Sequence, residues 1–232
     1  DCADVTSPVP TGPWRAVEYP STVFGRESFL DELAHAAGAD PIAFRLALLP
    51  PGVGEVGPYR IDRTRLARVL EAVRDRARWT EPLPSSDGRR RGRGVAVNTY
   101  HTGSYLAMVA EVSTASDGSD LRVERITTAV DCGIALNPLG VEGQTESGIA
   151  WGLSAALYGR MDFRQGAPVQ STFGDFHVLR IDQMPALDTV ILDSGAAPGG
   201  YGEHPVPLVA PAVANALFAA TGRRVRELPL TA

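Results

Sequence analysis

Apolar residues recur along this chain first at helical spacing and, beyond residue 94, mostly at a spacing of two, so the pattern predicts helices followed by a strand-rich part. Residues 29, 30, 33, 34 and 37 are apolar within Glu27–Gly38, which predicts an amphipathic helix stopped by Gly38. Asp40 and Pro41 follow as an N-cap and a first helical residue, opening a second helix to Leu49. A Pro/Gly connector over 50–58 leads to a third helix, Arg63–Trp79, apolar at 66, 69, 70, 73 and 77 with arginines opposite. Strands are predicted over 94–100, 105–113 and 121–130, the last two joined by an Asp117-Gly118 turn. Asn137-Pro138 opens a long helix through Tyr158, and 160–172 and 187–192 read as further strands. A helix of small residues over 209–220, able to pack close to a neighbour, is closed by Gly222. The fold class that follows is α+β, with mixed sheets and packed helices. Residues 1–80 form an arm and helical segment, 81–93 a flexible basic loop that marks a boundary, and 94–232 the strand-rich region.

Composition narrows the function classes. A chain of 232 residues with 44% hydrophobic and 21% charged residues is globular, with one large or two small cores. The net charge of -5 argues against a nucleic-acid partner. The arginines between Arg60 and Arg93 read as a solvated helix face and loop, with contact to a partner subunit or a phosphate group as the alternative. Two cysteines, Cys2 and Cys132, are not at metal-ligand spacing, so no protein-held metal is expected, and Cys132 reads as a small buried hydrophobe. A reducing, cytoplasmic compartment fits that usage, with a periplasmic one open if a partner carries a signal. No apolar stretch reaches the ~20 residues of a membrane span, and no charged-then-apolar leader opens the chain. The sequence begins at Asp1 and not at methionine, which implies a trimmed start or a processed polypeptide.

Candidate chemistry concentrates in Pro198–Pro205. Glycines 199, 200 and 202 would allow positive φ and close approach to a ligand, presenting Glu203 at the tip of a tight loop; a solvated acid on a plain turn is the alternative. On the long helix Gln144, Gly148 and Gly152 share one face bare of bulk, which suits either close helix packing or a flat ligand. His101 sits in a short polar loop that either faces a ligand or simply turns. His177 and Arg180, within 173–185, either reach a substrate or belong to a structural corner. His35 reads as a packed or surface histidine.

Taken in order, Trp14-Arg15-Ala16-Val17, Val130–Pro138, Gly148–Tyr158 and Pro198–Gly222 resemble the large subunit of molybdenum hydroxylases, the xanthine dehydrogenase and aldehyde oxidase superfamily. The likeness is strongest to the molybdopterin-binding subunit of the isoquinoline 1-oxidoreductase type and runs from about Val5 to Leu230. The resemblance implies that Glu203 is the catalytic base beside molybdenum, with its pKa raised by a dry pocket. It places Arg15, Ala16, Gln144 and Gly202 against molybdopterin, and makes His101, His177 and His204 candidate substrate contacts. Glu18 stands where the family usually has glycine, and a charged side chain there would crowd the cofactor. The family's Met-Gly-Gln-Gly and Gly-Gly-Gly-Phe-Gly loops and its iron-sulfur cysteines have no counterpart in this sequence. The resemblance therefore covers the later half of a molybdopterin-binding subunit, with a partner chain supplying the earlier half. Other subunits would carry [2Fe-2S] centres and, where a flavin subunit is present, FAD. The reaction implied is oxidation of an aldehyde or N-heterocycle with water as oxygen source. Two other readings stay open: a molybdenum-free relative using Glu203 and His204 as an acid/base pair for isomerisation, dehydration or cyclisation, and a non-catalytic scaffold subunit.

Overall fold

The computed structural model describes residues 9–56, 59–84, 87–100 and 103–230, so His101 and Cys2 lie outside the described residues. The first elements are α1 (Tyr19–Ala36), α2 (Pro41–Ala47), the hairpin β1 (Val53–Val56) and β2 (Tyr59–Asp62), and α3 (Arg63–Arg76). Three long strands follow, β3 (Arg90–Tyr100), β4 (Ser104–Thr114) and β5 (Arg122–Asp131), then α4 (Pro138–Tyr158). Two minimal strands, β6 (Phe163–Arg164) and β7 (Ala167–Pro168), a 3-10 turn at Ile181–Gln183, β8 (Ala186–Ile191) and α5 (Val206–Thr221) complete the chain. Asp40 caps α2 as its position implies, accepting from the N–H groups of Ile42 and Ala43 at 3.0 and 2.9 Å. Among the described residues no helix is long and apolar enough to cross a membrane.

The central sheet has the order β3-β4-β5-β8, an antiparallel meander extended by β8 parallel to β5. Side chains alternate between its faces. Leu106, Met108, Ala110 and Val112 of β4 join one core with α4 and α5, while Tyr105, Ala107 and Val109 join a second with α2 and α3. Both faces are covered, which is why β4 reads as a nearly continuous apolar run.

Helix α5 lies directly on β3. A Cβ at Gly94 would stand 2.1 Å from the Ala216 nitrogen and 2.3 Å from the Ala212 oxygen, and one at Gly92 would stand 2.3 Å from the Ala216 oxygen. Glycine on the strand and alanine on the helix are what permit that approach. The bare face of α4 is likewise filled by the start of α5: a Cβ at Gly148 or Gly152 would lie 2.9 Å from Pro205 Cβ or 2.6 Å from Val209 Cγ2. Of the two uses open to that face, Gly148 and Gly152 serve helix packing, whereas Gln144, a turn earlier, is exposed.

The free edge of β3 is closed by side chains. Glu27 accepts from the Val97 N–H at 3.1 Å, Arg26 donates to the Val97 carbonyl at 3.0 Å and Asn215 to the Val95 carbonyl at 3.1 Å. Glu27 and Arg45, 1% and 2% exposed, form an ion pair at 3.0 Å behind this edge. The groups that would template another strand are thereby satisfied.

Several expectations change. Helix α1 starts at Tyr19, ahead of Glu27, and buries Val23, Glu27, Asp31 and Ala34. Of its expected apolar stripe Ala34 is buried but Phe29 and Leu33 are 59% and 40% exposed, because Glu27 and Asp31 are drawn inward by Arg45 and Arg224. The connector over 50–58 is in part a hairpin strand. Strand β3 begins at Arg90, so 90–93 belong to the sheet and not to a flexible loop. Arg89, Arg91 and Arg93 pair with Asp120, Asp87 and Glu111. The strand expected over 160–172 contracts to β6 and β7 around Gln165 and Gly166, both at positive φ.

Candidate active site

The loop between β8 and α5 is tied down residue by residue before it reaches Glu203. The Gly199 N–H donates to the Cys132 carbonyl at 2.8 Å, Ser104 Oγ donates to the Gly200 carbonyl at 2.8 Å, and the Tyr201 hydroxyl meets Thr145 Oγ1 at 2.7 Å. Cys132, buried as expected, has its thiol pushed up in pKa by that burial. Beneath the loop Asp131 is fully buried and held by Arg65 at 2.5 Å and by Ser194 Oγ at 2.7 Å.

Arg15 grips the next residue. Its Nε donates to the Gly202 carbonyl at 3.1 Å, Nη2 donates to the same carbonyl and to Gln144 Oε1 at 2.8 Å, and Nη1 donates to Ser147 Oγ at 2.9 Å. One guanidinium thus fixes the glutamate loop to α4 through its planar fork of donors. The half-buried Glu203 carboxylate is held on both oxygens: Oε2 accepts from the Ala16 N–H at 2.9 Å, and Oε1 accepts from the Tyr100 hydroxyl.

Strain sits across the site from where the glycines predict it. Gly199, Gly200 and Gly202 are not among the positive-φ glycines, whereas Ala16 and Val17 have φ of 75° and 46°. A left-handed alanine followed by a left-handed, β-branched valine costs on the order of 1–3 kcal/mol per residue and persists only when over-determined. The turn is closed by Val17 N–H to the Trp14 carbonyl at 2.8 Å and Tyr19 N–H to the Ala16 carbonyl at 2.9 Å, which leaves the Ala16 N–H directed at Glu203.

The electrostatics also reverse an expectation. The Tyr100 hydrogen bond holds Glu203 below the usual glutamate range; partial burial opposes this, and the Ala16 N–H, His204 and Arg15 add to the lowering. The carboxylate is only partly desolvated and is richly donated to, so the raised pKa of a dry pocket is not seen in this chain. Burial, then the facing carboxylate, push the Tyr100 phenol well above its ordinary value.

Arg15, Ala16, Gln144, Gly202 and Glu203, far apart in sequence, thus form one cluster. His204 borders it: the ring is buried, packs against Tyr100 at 4.4 Å and Tyr201 at 5.2 Å between centroids, and its charge favours the Glu203 carboxylate. His177 is exposed and lines an apolar cavity of about 660 Å³ with Trp14, Trp151, Phe173 and Phe176, bordering Arg15, whose guanidinium lies 6.0 Å from the Trp151 ring. His35 is a surface residue set edge-on to Phe218 at 4.9 Å. Arg180 is exposed at the corner preceding β8.

Tyr100, Tyr19 and Ser147 are the contributors that sequence reading missed. The alternation of β3 carries a signal for the first, because Tyr100 shares parity with Ala96, whose face meets α5. As for a cofactor, the exposed Gln144 amide engages Arg15 through Oε1, and no described group accepts from its Nε2. That donor, on the α4 face next to Glu203 and beside the Arg15 charge, suits an anionic, oxygen-rich group such as molybdopterin. Glu18, where the resemblance leads one to expect glycine, is the exposed N-cap residue of α1 with φ of -80°, a backbone conformation that does not itself require glycine.

Comparison with known proteins gives the family and the fold. One of the subunits of nicotinate dehydrogenase from Pseudomonas putida is 33% identical over 242 aligned residues, covering 99% of this chain and 19% of that protein. The beta subunit of isoquinoline 1-oxidoreductase from Brevundimonas diminuta is 31% identical, covering 93% of this chain and 26% of that protein. The chain therefore spans only about a fifth to a quarter of the length of these relatives. Among solved structures, quinoline 2-oxidoreductase from Pseudomonas putida 86 shares the fold with a TM-score of 0.75 at 13% identity, covering 92% of this chain and 50% of that one. The aldehyde oxidoreductase of Desulfovibrio desulfuricans does so with a TM-score of 0.76 at 16% identity, covering 94% and 40%. The model of the molybdopterin cofactor-binding domain matches residues 67–185, just over half of the chain and the part that carries Tyr100 and Gln144. By that match, and by relatives that extend the likeness through Arg15 and Glu203, the chain belongs to the molybdopterin cofactor-binding family.

Proposed function

We propose that this chain is the base-bearing part of a molybdopterin-dependent oxidoreductase that hydroxylates an aldehyde, or the carbon beside a ring nitrogen, with oxygen from water. Overall, R–H and H2O give R–OH, two electrons and two protons. When bound, the molybdenum cofactor supplies the oxygen to be transferred and takes up the two electrons. The observation that carries the reading is the Glu203 carboxylate, pinned on both oxygens between Tyr100 and Ala16 with its backbone clamped by Arg15.

Each protein group has a definite task. Glu203, lowered in pKa, is ionised at neutral pH and therefore present as the base. The two donors occupy two of the roughly four lone-pair positions of a carboxylate, which leaves others to accept the proton of the attacking oxygen. Gln144 Nε2 and Arg15 would hold molybdopterin, and the Arg15 clamp keeps the Gly202-Glu203 backbone in place while the proton moves. His204, buried against Tyr100 and Tyr201, would support the Glu203 base through its charge, which favours the ionised carboxylate.

Water must be excluded by something else. Leu136, Leu139 and Phe173 are 82%, 78% and 76% exposed, and Trp14 and Trp151 lie tilted against each other at the surface with centroids 5.8 Å apart. A partner polypeptide supplying the earlier half of the molybdopterin-binding subunit would cover this face, with [2Fe-2S] and FAD groups on further subunits carrying electrons away. The test is Glu203→Gln in the assembled complex. Turnover should fall at least ~10²-fold while molybdenum content and thermal stability stay unchanged. Near-normal turnover would remove Glu203 from the chemistry.

A further inference from the structure

We propose that Tyr100 is the positioning residue of the Glu203 base, so that the orientation of the carboxylate and the pH at which it becomes available are set from the end of β3 and not by the loop that carries it. This rests on the reading of Glu203 as the base. Glu203 follows a glycine with open space around its missing side chain, and a glutamate there has rotatable bonds that the loop backbone does not restrain. Two donors from separate elements restrain it instead, the Tyr100 hydroxyl on Oε1 and the Ala16 N–H on Oε2.

Tyr100 is itself immobilised. It is buried, stacked on Tyr19 at 4.3 Å between centroids and tilted against His204 at 4.4 Å. It is also the last residue of β3, paired with Ser104, and Ser104 Oγ donates to the Gly200 carbonyl. The paired ends of β3 and β4 therefore grip the carboxylate and the backbone of the Glu203 loop respectively. The titratable and charged groups around the pair are Arg15 from the segment before α1, Glu18 and Tyr19 from the start of α1, and His204 from the loop itself. Arg15 and His204 favour the ionised carboxylate, and Glu18 favours the neutral phenol, so Tyr100 enters as a donor and not as a competing acid.

The sign follows from the hydrogen bond. A phenol that donates to the carboxylate stabilises its charged form, so its removal raises the Glu203 pKa. In Tyr100→Phe, the acid limb of kcat/KM should move up by about half a pH unit or more, with metal content and thermal midpoint unchanged. Replacement of Tyr100 by 3-fluorotyrosine, a stronger donor of the same shape, should move the limb down.

A second readout does not depend on turnover: the protonated-carboxyl infrared band present in the parent complex and absent from Glu203→Gln, followed against pH. Its midpoint should rise in Tyr100→Phe and fall with fluorotyrosine. If Glu203→Gln is inactive but neither limb nor band moves in the Tyr100 variants, this inference fails and the base reading stands. If Glu203→Gln stays active while the band moves, the base reading fails and Tyr100 still controls the carboxylate.

Discussion

Gly94→Ala tests how the sheet positions the site. The added Cβ would meet three backbone atoms of α5: the Ala216 nitrogen at 2.1 Å, the Ala212 oxygen at 2.3 Å and the Asn215 carbonyl carbon at 2.7 Å. No side chain can swing aside to relieve this, so the helix must retreat from β3 by about 1 Å before ordinary contact is restored. Overpacking of this kind costs about 1–3 kcal/mol, and the all-backbone contact puts this case near the upper end. For a chain of this size that is a fall in thermal midpoint of roughly 5–10 °C. The helix is bonded to the site at its first turn, since the Val206 N–H donates to the Glu203 carbonyl at 3.2 Å. A ~1 Å displacement of a catalytic group can cost on the order of 10²-fold in rate, so turnover should fall with stability. Thermal denaturation and steady-state turnover of the complex measure both. Gly143→Ala, an exposed helical site with nothing within 4 Å of its Cβ, is the control and should stabilise slightly. A Gly94→Ala protein with the parent's melting temperature would refute the claim that α5 rests on the β3 backbone.

Two further outcomes concern buried charge. Glu27→Ala strands the Arg45 guanidinium, 2% exposed, and reopens the Val97 N–H, so urea unfolding should show a loss of about 3–5 kcal/mol. A loss below about 1 kcal/mol would mean that the network contributes nothing net. Asp131 is held below the ordinary aspartate range: burial alone would raise it, but Arg65, Ser194 and the Gly133 N–H outweigh that. A depressed folded pKa contributes stability above the unfolded value near 3.9, and that stability is lost as pH falls through the folded value. Asp131→Asn should therefore be less stable at pH 7 and show a flatter loss between about pH 5 and 2, read from urea midpoints across that range.

Much of the fold was legible because both faces of the sheet are covered. Apolar runs bounded by turn residues placed β4 and β5 to within a residue at each end, and Asp40-Pro41, Asn137-Pro138 and Gly222 marked helix ends that the structure keeps. Helix α1 misled for a physical reason: its buried stripe contains Glu27 and Asp31, made tolerable only by arginines distant in sequence. Pattern reading assigns charge to solvent and cannot see such partners. The strained turn at Ala16 and Val17 carried no glycine to announce it, and Gly199, Gly200 and Gly202 announced a strain that is absent. Glu203 was a candidate from its glycine loop, but its place opposite Arg15 and Gln144 came from the family resemblance. Tyr100 was hidden because a tyrosine ending a buried strand looks like any core aromatic.

These misses share a cause, and it bears on how the site works. The base is carried by a loop but restrained by groups on other elements: a strand end, a left-handed turn and a guanidinium anchored on α4. Two connections refer the site back to the central sheet, Tyr100 as part of β3 and the loop's exit through α5, which Gly92 and Gly94 seat on the same strand. A glutamate on a free loop would sample many rotamers and lose ordering entropy at every turnover. Here that ordering is complete when the chain folds, and its cost appears as strain at Ala16 and Val17 and as a strand that tolerates no Cβ where α5 crosses it. Loss of function should therefore follow from changes along β3 that never touch the carboxylate, in proportion to how far they move α5.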